Sequence, residues 1–180
     1  TTTHSGTRGA AADTDDIMLV GATTAAGQSS PSEVFSGQID DLWVFNIALD
    51  AEQMLQLYEA APVMHLRLEE AYGATQLADN AEYSRPGACT APGCPLCGEG
   101  VSGQVGLAAQ FDGQNDVLKI GDKAALRPTT FSVGAWVMPM GASGAPQAGL
   151  LHEVVGKWIT GTTNYRLYMS DDLKAGLEWG

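Results

Sequence analysis

The chain is short of positive charge. It carries nine Lys and Arg against 21 Asp and Glu, a formal net charge of -12, so it repels the polyanionic backbone of a nucleic acid and that class of partner is excluded. It has no run of eighteen apolar residues, and no segment therefore reads as a membrane-spanning helix. Charged residues make up only 17% of the chain and hydrophobic ones 44%, which argues against disorder and for a lightly charged globular protein. Histidine is limited to His4, His65 and His152, none beside a credible nucleophile. His152-Glu153 opens an H-E-x-x-H pattern, but Gly156 stands where the second ligand belongs, so zinc-protease chemistry is not expected. No G-x-S-x-G elbow occurs, and the chain reads as non-enzymatic. A charged n-region followed by an apolar h-region is also missing, so any export signal is expected to have been removed or to lie upstream.

What the chain does have is glycine, 22 residues of it, gathered in short turn-like clusters such as 141–144 and 161–164 that punctuate brief segments. Between them the pattern alternates with period two. Met64, Leu66 and Leu68 fall on one face with His65, Arg67 and Glu69 on the other, and Tyr165, Leu167 and Met169 repeat the arrangement. Further strand candidates are residues 17–20, 38–45, 108–112, 117–120, 131–138, 150–157 and 173–179. Many short strands separated by turn residues predict an all-β sandwich. One short helix is signalled near residues 50–59. Asp50 serves as N-cap with Gln53 three residues on, Leu49 staples onto Met54, and Met54, Leu57 and Tyr58 share a stripe. Pro62 marks a boundary, and charge changes there too: residues 1–62 hold nine acids and one base, residues 63–180 twelve acids and eight bases.

Specific segments carry a resemblance. Gly37-x-Ile39-Asp40-Asp41, then Asn46-Ile47-Ala48-Leu49, then Leu57-Tyr58 resemble the closing strand, turn and helix of the laminin-G-like, concanavalin-A-like jelly-roll domains of bacterial surface proteins. Leu66-Arg67-Leu68-Glu69-Glu70, the stretch from Gly103 to Asp116 that contains Phe111-Asp112-Gly113, and Phe131-Ser132-Val133-Gly134-Ala135-Trp136-Val137 resemble that family's opening half, and Gly156-Lys157-Trp158 through Leu167-Tyr168 its mid-domain hairpin. The closing half thus precedes the opening half. The resemblance implies a jelly-roll β-sandwich organised as residues 1–61, the C-terminal part of one domain, and residues 62–180, the N-terminal part of the next. Each part then wants strands. The expected sources are neighbouring chains or a longer parent polypeptide, ahead of the two parts completing each other.

The resemblance also implies sites. Paired cysteines at the spacing of Cys89 and Cys94 occur in some family members, implying a small disulfide loop and leaving Cys97 over. Reduced thiols, a Cys94–Cys97 pairing, and a metal at Cys94-x-x-Cys97, which is half of a zinc ribbon, are the alternatives. A Ca2+ at the sandwich rim is implied by the family, with Asp40 and Asp41 on one side and Asp79 and Asn80 on the other; adjacent Asp40 and Asp41 face opposite sides unless a bulge intervenes. Trp158 is the candidate ligand-stacking aromatic, whereas Trp43, sharing a face with Ile39 and Phe45, and Trp136 are assigned to packing. Asp112 and Asp116 flank a turn and are expected to fix it. The functions implied are extracellular or cell-surface adhesion, by binding a glycan or a surface protein, or a structural role in a filament, stalk or surface layer built by self-association or by tandem neighbouring domains.

Overall fold

In the computed structural model, the structure describes residues 4–7, 18–23, 33–45, 62–81, 86–98, 100–140, 152–159, 162–170 and 173–179. The helix expected near residues 50–59 lies outside them. The described residues form twelve strands, with one 3-10 turn at Ala124–Leu126. The strands are β1 (His4–Thr7), β2 (Met18–Val20), β3 (Ser36–Phe45), β4 (Met64–Leu66), β5 (Gln76–Leu77), β6 (Gly87–Ala88), β7 (Ala109–Asp112), β8 (Leu118–Ile120), β9 (Thr130–Pro139), β10 (His152–Ile159), β11 (Thr162–Met169) and β12 (Ala175–Trp179). Every named pairing is antiparallel. One sheet runs β1-β9-β3-β4 with β7 also on β3; the other runs β12-β11-β10-β2-β8-β6-β5.

The sheets enclose the main core through strands whose alternate residues are apolar. Met64, Leu66 and Leu68 from the first sheet's side and Tyr165, Leu167 and Met169 from the second are all buried in it, as the period-two pattern requires. Phe131 of β9 stacks on Tyr165 of β11 with ring centroids 4.8 Å apart, tying sheet to sheet.

The two segments of the chain share both sheets. β3, from the N-terminal segment, lies between β9 on one edge and β4 and β7 on the other. β2, also N-terminal, lies between β10 and β8. β2 and β3, from residues 1–61, thus pair with strands of residues 62–180 within one chain, the arrangement that the sequence places behind neighbouring chains or a longer parent polypeptide. The physical reason is proximity: a complementary edge on the same polypeptide meets its partner at an effective concentration that a separate molecule does not match.

β3 itself is irregular where the sequence reads Asp40-Asp41. Its register on β9 shifts between Asp40 and Trp43, and Asp41 takes a positive φ of 49°, the mark of a bulge. The bulge exchanges the faces: Ile39 is in the core before it, Leu42 and Val44 after it. Trp43 is thereby turned away from the face of Ile39, contrary to the straight-strand expectation, and packs on His65 with centroids 5.5 Å apart. Three residues earlier, Gly37 has φ of 150° and a β-carbon there would lie 2.5 Å from the Met138 carbonyl oxygen. The first glycine of the Gly-x-Ile-Asp-Asp motif is thus where β3 passes too close to β9 for a side chain.

Candidate functional site

The bulge sends Asp40 and Asp41 to two different places. The side chain of Asp41 accepts or shares a hydrogen with His65 Nε2 at 3.0 Å. His65, the outward residue of β4, also donates its backbone N–H to Asp79 Oδ1 at 2.8 Å, and its carbonyl accepts from Asn80 N at 2.7 Å. β3 and the loop at residues 79–81 thus meet, with His65 of β4 between them. Asp79 Oδ1 also accepts from Ala81 N at 2.9 Å, closing an Asx turn, while Asn80 is exposed.

Asp40 points into the loop at 102–107. Its Oδ2 accepts the backbone N–H groups of Gln104 (2.7 Å) and Val105 (3.1 Å), and its buried Oδ1 has no hydrogen-bond partner. Burial pushes this carboxyl above the ordinary aspartate range, against the two N–H bonds; Asp41 and Glu69 push the same way. Gly103 is fitted to the carboxylate, since a β-carbon there would collide with Asp40 Oδ2 and with the Leu107 carbonyl.

Ca2+ takes six to eight oxygen ligands around one point. Here Asp40 Oδ2 and Asp79 Oδ1 each accept two backbone N–H groups, Asp41 faces a histidine, and among the described residues no group of three or more His, Cys, Asp or Glu side chains is placed to hold a metal ion. Asp40 holds the backbone of the 102–107 loop, Asp79 holds the backbone of His65 and Ala81, Asp41 holds the His65 ring, and Asn80 meets the His65 carbonyl through its backbone N–H.

Cys89 and Cys94 are joined by a disulfide across a separation of five residues, and Cys97 is a buried free thiol. Burial, with Glu70 and Asp116 nearby, pushes the Cys97 thiol up to about 11, so it stays protonated and unreactive at neutral pH. Asp112 and Asp116 fix the turn they flank: Asp112 Oδ1 accepts from Gln114 and Asn115 N–H, and Asp116 Oδ2 accepts from Asp112 N–H at 2.9 Å. Burial pushes Asp116 up to about 6, the Asp112 N–H opposing and the Asp112 carboxyl reinforcing.

Trp158 lies in β10 opposite Thr163, and its side chain is outside the described part. Two ion-pair groups were not anticipated. Lys157, fully buried, contacts Asp122 Oδ1 at 2.5 Å, and Arg127 contacts Asp122 Oδ2 at 3.1 Å. Arg166 joins Glu33 at 3.1 Å and Glu178 at 2.7 Å. The available signal was a lysine inside the apolar run Val154-Val155-Gly156-Lys157-Trp158, since a buried charge requires a partner. Compared with family models, curated proteins and solved structures, the chain matches none of them.

Proposed function

We propose that this chain is a non-enzymatic β-sandwich module of an exported, laminin-G-like repeat protein, and that its role is structural. Residues 1–61 close a sandwich that residues 62–180 open, so the junction between repeats falls inside a folded body instead of in a linker. The observation that carries this reading is the placement of β2 and β3 between strands of the C-terminal segment, one in each sheet. Export is supported by the Cys89–Cys94 disulfide, which suits an oxidising compartment, and among the described residues no helix is long and apolar enough to cross a membrane. The jelly-roll connectivity is part of the proposal and rests on the sequence resemblance. Adhesive recognition of a glycan or surface protein would call for a rim ready to take a ligand, whereas the rim carboxylates of Asp41 and Asp79 already engage His65.

The test is a nick. A protease site placed between residues 46 and 61 is cut in the folded protein, and the product is passed over a sizing column without denaturant. The expected result is one particle of the uncut size that separates into two fragments only in denaturant. Separation of the fragments in native buffer would reject the reading.

A further inference from the structure

Residues 93–97 form a short strap across the turn that joins β7 to β8. On one side of the turn Leu96 and Gln110 exchange two backbone hydrogen bonds, both 2.8 Å, and on the other the Gly93 carbonyl accepts from Val117 N at 3.2 Å. The fit is close, since a β-carbon at Gly93 would lie 2.8 Å from the Asn115 carbonyl oxygen. One end of the strap is tied to Cys89 by the disulfide at Cys94, and the other runs out through Gly98 and Gly100, both at positive φ. Leu96 is exposed on the outside of the strap, whereas Cys97 is buried in the core.

Asp116 stands next to the Val117 anchor and is 5% exposed. Its Oδ2 accepts one hydrogen bond, from Asp112 N, and no Lys, Arg or His among the described residues pairs with it. The titratable groups that face it are all acids: the Asp112 carboxyl from the end of β7 and the Cys97 thiol from the strap, with Glu70 acting on that same thiol. Glu70 accepts from Ala78 N through Oε1, and its buried Oε2 has no hydrogen-bond partner. A negative charge on Asp116 is thus held away from water, beside other acids and without a cation, an arrangement that burial disfavours. We propose that Asp116 and the strap form a pH-operated clasp: while the carboxyl is protonated the strap stays down, and once it is ionised the strap lifts more often from Gln110 and Val117, letting water reach the charge and uncovering Cys97. The disulfide keeps the lifted segment attached to the body, so the movement reverses.

With the strap closed, burial holds Asp116 at about 6, and once solvated it returns toward about 3.9. Opening is therefore rarest below the lower value, rises roughly tenfold per pH unit between the two, and levels off above the upper one. The test uses the intact, oxidised chain over roughly pH 4 to 8 without denaturant, following the reaction of Cys97 with dithiodipyridine in wild type and in Asp116→Asn. The ratio of the two rates cancels the thiol's own pH dependence and should climb along that curve. Amide exchange at Leu96 and Val117, corrected for intrinsic rates, should follow the same curve in wild type alone, which keeps the test in hand should the variant misfold. It should also barely respond to low urea, as a local opening does. A ratio or a corrected opening constant that stays flat over this range, or Cys97 exposure that rises with urea as steeply as exchange in β10, overturns the proposal.

Discussion

Two buried aspartates contribute a pH dependence of stability opposite in sign to that of a paired carboxylate. Asp116 is raised to about 6 in the folded chain, above its unfolded value near 3.9. The stability linked to it is therefore fully present below the unfolded value and is lost as pH rises through about 6. Asp40 is shifted in the same direction. Urea denaturation of wild type and Asp116→Asn between pH 4 and 8 should show the wild type gaining on the variant as pH falls, by up to about 3 kcal/mol at roughly 1.4 kcal/mol per unit of pKa; a difference independent of pH would contradict the burial argument. The rim carboxylates engage backbone N–H groups and His65, contacts that a bound metal would have to displace. Adding Ca2+ or a chelator is expected to leave the thermal midpoint in place, and a rise with Ca2+ would show that the metal displaces these contacts.

At the scale of elements, the β3 bulge controls most of the arrangement. It turns Asp40 to the 102–107 loop and Asp41 to His65, and it moves the buried face from Ile39 to Leu42 and Val44. Gly37 lets β3 approach β9, so Gly37→Ala should destabilise the fold by roughly 2–3 kcal/mol through both backbone strain and collision with the Met138 carbonyl, measured by chemical denaturation; an unchanged midpoint would mean that the strands can separate there. The short Cys89–Cys94 loop constrains the unfolded chain, and Cys89→Ser with Cys94→Ser should cost about 2 kcal/mol in the same assay. Strands with clean alternation, 64–68 and 165–169, were legible because their period matched burial residue by residue. The face of Trp43 was not, because a bulge reverses the period and leaves only two adjacent aspartates as its trace. β5 and β6, two residues each, are too short to show a period at all; they exist through pairing, β6 with β8 and β5 with β6.

For the whole molecule, the resemblance implied a closing half placed before an opening half, and in the structure residues 1–61 and 62–180 both contribute to one main core. What periodicity could not supply was the partner of each edge, because pairing between β2 and β10, or β3 and β9, joins residues far apart in order, such as Val20 with Val155 and Gly37 with Pro139. The most direct measurement is native-state hydrogen exchange on the intact chain. If β2 and β3 are internal strands of a single sandwich, the amides of Met18–Val20 and Ser36–Phe45 will be protected to the same free energy as those of β9 and β10, and will lose protection together with them as denaturant is added. Free exchange in β2 and β3 while β9, β10 and β11 stay protected would contradict this account.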